Sequence, residues 1–190
     1  MTQLQKYIKS YFGIVDETNL QTIASLFTLT TYKKGDFFLK AGSYCTKLGF
    51  MEDGIFRMFA TTPDKEITQW ISTKGYFVTD LSSFVFNTTA RCTIQALVDV
   101  DVYVIEKKNY DNIKNIAPEW LALERLFITR CFTAMEDRIF SLLSLSAEER
   151  YNLLFAQNPE LFNYVPLNYL ASMLGMTPET FSRIRNNKAK

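Results

Sequence analysis

Gly175 constrains this chain more than any other residue. It stands between two short stretches, within 165–187, whose apolar residues recur at helical spacing. Before it, Pro166 can open a helix, where a missing N–H costs nothing. Leu167, Leu170, Met173 and Leu174 then fall on one helical face. A glycine at the end of that face stops the helix and permits a left-handed turn. After it, Thr177 can cap a second helix with Pro178 at its first position. Phe181 and Ile184 face back toward the first helix, and Ala171 is small where the second must cross closely. Leu170, Ala171, Leu174, Gly175, Met176, Phe181 and Ile184 thus fill the buried and turn positions of a DNA-binding helix-turn-helix. An ordinary helical hairpin in a core also needs a turn glycine and is the alternative.

If the second helix begins at Pro178, its outward face follows from the turn of about 100° per residue. Glu179, Arg183 and Asn186 point away from Phe181 and Ile184, with Ser182 beside them. Arg183 can grip guanine O6 and N7, and Glu179 can accept from cytosine N4. Thr177, Thr180, Arg185 and Lys188 flank that face and suit phosphate. For Ser182 and Asn186, solvated surface is the plain alternative.

The formal net charge is +1, so a nucleic-acid site must be a local patch. Arg183, Arg185, Lys188 and Lys190 near the end of the sequence, against Glu179 alone, supply one. Basic tails are also often mere solvated ends. A hydrophobic content of 47% argues for a sizeable core and against disorder. There is no histidine, which removes the commonest general base and metal ligand. Cys45, Cys92 and Cys131 are far apart, so neither a zinc site nor a disulfide framework is expected. Residues 1–20 lack a signal-peptide pattern, and no apolar run reaches membrane length. These features point to a reduced, cytoplasmic protein without membrane partners, catalytic residues or a bound metal.

Along the chain, 3–12 and 16–27 read as short helices, with Asp16 as a cap. From Thr28 the period changes to that of strands. Candidates at 47–51, 55–61, 66–71, 93–96 and 101–106 are punctuated by Gly42, Gly49, Gly54 and Gly75. Many short strands with turns between them suggest an antiparallel sandwich or barrel. A short helix at 109–116 follows, then a long one opened by Pro118 and running to about Leu145. Leu121, Ile128, Met135 and Leu142 recur on it at heptad spacing, with Phe132 and Ile139 between and Arg125 interrupting. That is an imperfect coiled-coil seam and predicts a homodimer through Leu121, Ile128, Phe132, Met135 and Ile139. A helix lying on the sandwich is the alternative, and both can hold. Ser146–Glu149 is a capping box that starts a new helix. A hinge is expected at Leu145–Ser146.

The order of these parts resembles the CRP/FNR family of bacterial transcription regulators, over almost the whole chain. Residues 32–42 resemble the family's opening strands, and Gly54 followed by Arg57 its next turn and strand. Residues 75–84 with 90–93 resemble its phosphate-binding cassette. The resemblance implies an α+β fold. Its N-terminal antiparallel β-roll, a cupin-like jelly roll, spans 1–116 and holds an effector. A central dimerisation helix follows at 117–145 and a helix-turn-helix domain at 146–190. It implies double-stranded DNA with a pseudo-palindromic operator as partner, and RNA polymerase as a further one.

The cassette departs from the cyclic-nucleotide pattern. The usual Gly-Glu pair is Thr79-Asp80, and the usual Arg-Ser pair is Arg91-Cys92. Threonine obstructs close backbone approach to a phosphate, and aspartate is a methylene short for a ribose hydroxyl. Arg91 can pair with an anion, or with Asp80 in a salt bridge. The expectation is a small-molecule effector pocket at Thr79, Asp80, Arg91 and Cys92 that does not favour cyclic AMP. The family usually continues past its recognition helix into a β-hairpin wing. The sequence given stops at Lys190, which reads as a wingless variant or a truncated chain. The family also usually carries an arginine where Pro178 stands, so the operator need not be the familiar one. The rival readings are a sensor whose helix-turn-helix makes only protein contacts, and a cupin-like enzyme.

Overall fold

A computed structural model describes residues 1–13 and 16–188, with the Lys188 side chain left out. Helix α1 (Gln3–Phe12) starts from a Thr2 capping box and α2 (Glu17–Ser25) from Asp16, whose carboxylate accepts from the Thr18 and Asn19 amides. Eight strands and one helix follow: β1 (Thr28–Tyr32), β2 (Phe37–Leu39), β3 (Lys47–Asp53), β4 (Phe56–Thr61), β5 (Glu66–Ser72), β6 (Phe77–Val78), α3 (Leu81–Phe86), β7 (Thr93–Ala96) and β8 (Val100–Glu106). They form two four-stranded sheets, ordered β1-β8-β3-β6 and β2-β7-β4-β5, with every pairing antiparallel. The α+β architecture with a jelly-roll-like N-terminal part is therefore as expected.

Helices α4 (Lys107–Ile116), α5 (Trp120–Ser144), α6 (Ala147–Gln157), α7 (Leu161–Tyr164), α8 (Leu167–Met173) and α9 (Pro178–Lys188) complete the chain. The long helix begins at Trp120 rather than at Pro118. Ala117, Pro118 and Glu119 make a tight turn instead, closed by the Trp120 amide on the Ala117 carbonyl at 2.9 Å. Trp120 is thereby turned into the core, where it stacks on Phe12 at 4.4 Å between centroids, with Phe127 a turn and more further along on the same ring at 4.6 Å. The connection 158–165, without an expected element, contains α7.

Two apolar cores hold the molecule. The larger lies between the sheets and under α1, α2, α4 and the first half of α5. The smaller joins α6 to α9 through Tyr151, Leu161, Leu170, Ala171, Phe181 and Ile184, and it includes Ile55 and Ile71 of the sheet region. The last helices thus share their core with the strands. The hinge peptide itself is orderly: Leu145 is extended, and Ser146 forms the expected capping box with Glu149.

Candidate functional site

The packing expected around Gly175 is observed. Leu170, Ala171, Phe181 and Ile184 are buried, and Leu174 and Met176 pack against them. Gly175 has φ +64°, and a Cβ there would stand 3.1 Å from Leu142 Cδ2. The turn therefore favours glycine for its backbone angle, while a methyl there would make the Leu142 side chain give way slightly. Thr177 caps α9 by accepting from the Thr180 amide at 3.2 Å.

The opposite face of α9 is open. Glu179, Ser182, Arg183 and Asn186 together line one shallow groove, joined by Leu167, Pro178 and Asn187. Glu179 is held below the usual carboxylate range by its own backbone N–H and by the Thr177 hydroxyl. It is thus an ionised acceptor near neutral pH. Arg183 and Arg185 are both exposed, and Arg185 lies close enough to Tyr151 to oppose the upward shift that burial imposes on that phenol. Of the expected phosphate ligands, Thr177 and Thr180 are engaged with each other, their hydroxyls 3.3 Å apart. The Lys188 side chain lies outside the described residues.

The expected seam of α5 is exposed along its length: Leu121, Ile128, Phe132, Met135 and Ile139 all face outward, Phe132 at 63%. Leu142, the next heptad position, is likewise exposed at 39%, and its Cδ2 stands beside the Gly175 turn. The other face of α5 lies on the β-roll, as the alternative reading held, through Trp120 and Phe127.

In the cassette, Thr79 is buried. Its hydroxyl donates to the Lys47 carbonyl at 3.0 Å and touches Cys45 Sγ at 3.3 Å. Asp80 caps α3 by accepting from the Ser83 amide at 3.0 Å. The suggested salt bridge between Arg91 and Asp80 is not formed: among the described residues no ion pair joins them. Asp80 is committed to its helix, and Arg91 is exposed. Burial pushes the Cys92 thiol up, Asp80 adds to this and Arg91 opposes it. The thiol donates to Gln69 Oε1 at 2.9 Å. A cavity of about 180 Å³ lies beneath α3, but Leu48, Leu81, Phe84, Lys107, Tyr110 and Glu124 are among its lining and none of the four cassette residues is.

Residues 29–115 match the cyclic nucleotide-binding domain family. The match covers nearly all of the strand region and α4. Solved structures share the fold over most of the chain. FixK2 of Bradyrhizobium japonicum has a TM-score of 0.70 at 17% identity, over 85% of this chain and 83% of that one. The catabolite activator protein of Thermus thermophilus has 0.59 at 18%, over 94% and 86%. CLP of Xanthomonas campestris, a c-di-GMP-responsive global regulator, has 0.65 at 13%, over 92% of each. At these identities the likeness is one of fold. No curated protein sequence matches the chain.

Sequence reasoning missed the contact between the β-roll and the last helices. Arg57 on β4 is 1% exposed. Its Nε donates to Thr68 at 2.9 Å and its Nη1 to Glu66 at 2.6 Å. Its guanidinium stacks between Tyr169 of α8 at 3.5 Å and Phe59 at 4.2 Å. Next to it, the Thr68 amide on the edge strand β5 donates to Ser172 Oγ at 2.9 Å. Helix α8 therefore covers an otherwise open sheet edge. The strand itself held no signal for this: Phe56 and Met58 face the core between the sheets, so Arg57 alternates onto the outer face, where a charge reads as solvated. Among the described residues, no group of three or more His, Cys, Asp or Glu side chains is placed to hold a metal ion, and no helix is long and apolar enough to cross a membrane.

Proposed function

We propose that this chain is a sequence-specific DNA-binding transcription regulator of the CRP/FNR type, acting as a homodimer and without catalytic activity. One observation carries the reading. Glu179, Ser182, Arg183 and Asn186 share the open face of α9, opposite a buried face that fastens α9 to the rest of the molecule. A helix so presented can enter a major groove with an acceptor and a forked donor foremost. The α8–Gly175–α9 unit is then the helix-turn-helix, and Thr177, Thr180, Arg185 and Lys188 lie along the phosphates.

The exposed seam of α5 brings two chains together, so that two recognition helices meet two half-sites of a pseudo-palindromic operator. The β-roll supplies control: its state biases how α5 and α8 sit, and with them the spacing of the two α9 helices. Such a protein works in the cytoplasm, on double-stranded DNA and beside RNA polymerase. The engaged side chains of Thr79 and Asp80 favour an effector other than cyclic AMP. Selection from random double-stranded DNA with the purified full chain, at a fixed low salt concentration, tests the whole reading. A recovered motif with two-fold symmetry is the expected result. No preferred sequence would overturn it and leave a sensor with protein partners only.

A further inference from the structure

Arg138, on α5, is half-buried and differs from the buried Arg57 in its partners. Arg57 has a carboxylate within 2.6 Å. Arg138 has none: among the described residues it forms no ion pair, and burial alone draws its pKa down with no acidic neighbour opposing. Its Nη2 donates to the Met173 carbonyl at 2.8 Å, and its guanidinium lies over the Trp70 ring, 5.3 Å from the centroid. A backbone carbonyl at a helix end answers part of that charge. It leaves other N–H donors of the fork without an anion, and a desolvated guanidinium favours one strongly.

Those donors border a cleft of about 230 Å³ where β5, α5, α6 and the end of α8 meet. Arg150 lines the same cleft. Its Nε donates to the Leu174 carbonyl at 2.9 Å and its Nη1 to the Leu145 carbonyl, and among the described residues it too forms no ion pair. Trp70 and Tyr76, 6.4 Å apart between centroids, line the cleft as well. One carboxylate, Asp137, also lines it; it is exposed and pairs with neither arginine. Two fixed cations thus face one acid beside an aromatic surface. That combination recognises an oxyanion carried on a flat apolar body.

We propose that this junction cleft binds a small organic anion, a carboxylate or phosphate monoester on an aromatic body, with its charge on Arg138 and Arg150 and its ring beside Trp70 and Tyr76. The cleft is separate from the cassette of Thr79, Asp80, Arg91 and Cys92, none of which lines it. It touches the β-roll, the central helix and the end of α8 at once, so a ligand there favours the arrangement of the three that forms the cleft. Leu142 lines it while also touching the Gly175 turn. An effect on DNA binding rests on the function proposed above; binding of the anion does not.

Calorimetry on the full chain without DNA tests binding alone. The probes are phenyl phosphate, benzoate and inorganic phosphate, with Trp70 fluorescence as a second readout. Either aromatic anion should bind with a Kd below about 1 mM, and inorganic phosphate more weakly. Arg138→Gln, which keeps a donor for Met173, should weaken binding about tenfold or more, a change of about 1.4 kcal/mol. Lys108→Gln removes the same charge from an exposed site elsewhere and should change nothing. Asp137→Asn removes the repelling carboxylate from a solvent-facing position and should tighten binding. The proposal is overturned if neither aromatic anion binds below about 1 mM, or if Arg138→Gln binds as the parent does. It is overturned equally if Asp137→Asn weakens binding, or if Arg91→Gln alone abolishes it, which would put the anion in the cassette. A recovered DNA motif alongside failed anion binding would refute this site and leave the regulator reading standing.

Discussion

Arg183 and Arg185 sit two residues apart on α9 and differ in what lies beneath them. Arg183 lines the open groove with Glu179 and Asn186, whereas Arg185 lies close to Tyr151 at the edge of the core. Their losses should therefore differ in kind. Arg183→Ala should remove roughly 1–3 kcal/mol of discrimination at one base pair per half-site. Arg185→Ala should weaken all sequences about equally and flatten the salt dependence. Competition binding against single-base operator variants at two salt concentrations separates the cases, and an unchanged base preference in Arg183→Ala would remove it from the reading face. In the cassette, the Thr79 hydroxyl is spent on Lys47 and the Asp80 carboxylate on Ser83. Cyclic AMP should accordingly bind weakly or not at all, and a micromolar affinity by calorimetry would contradict that. The cap at Thr177 and the departures at Thr79 and Asp80 were legible because each is a local matter of residue type. The partners of Arg57 were not: Glu66 and Thr68 lie on the neighbouring strand, and Tyr169 is more than a hundred positions away.

At the scale of elements, α5 carries two faces. Trp120 and Phe127 are buried against the β-roll, while Ile128, Phe132, Met135 and Ile139 remain exposed on the single chain. So much uncovered apolar surface on one helix is what the dimer face proposed above requires. Replacing both Ile128 and Met135 by Asp should convert a dimer to a monomer, because the seam would then bury unpaired charge. Light scattering should read half the parent mass; an unchanged mass means that this face of α5 holds no dimer together. The turn at Gly175 bears a second test. Gly175→Ala must adopt φ +64° and place a methyl 3.1 Å from Leu142. The left-handed conformation alone costs about 1–2 kcal/mol, so the denaturation midpoint should fall accordingly, and an unshifted midpoint would mean that the turn relaxes freely. Heptad spacing made this apolar face legible through Leu142. It could not foresee that Leu142 also stands beside the α8–α9 turn, because periodicity records a face and not its neighbour.

At the scale of the whole molecule, the order of parts was readable from where the hydrophobic period changes and where glycines interrupt it, but the joint between the parts was not. A capping box at Ser146 suggests two bodies on a hinge. In the folded chain the second body rests on the first: α8 satisfies the open edge of β5 through Ser172, Tyr169 covers the buried Arg57, and Ile55 and Ile71 complete the core of α6 to α9. If these contacts set the position of α9, loosening them should be felt at the end of the chain before it is felt in the β-roll. Tyr169→Ala removes the aromatic cover from Arg57 while leaving the Arg57–Glu66 pair in place. Amide exchange in α8 and α9 should then accelerate, while strands β3 and β8 keep their protection, since local opening needs only the smaller core to yield. Ser172→Ala should act in the same direction, because it leaves the Thr68 amide, on a residue only 1% exposed, without its acceptor. Equal acceleration in both regions would mean that the molecule opens as one unit, and the joint would then be part of the fold rather than a separable contact between its halves.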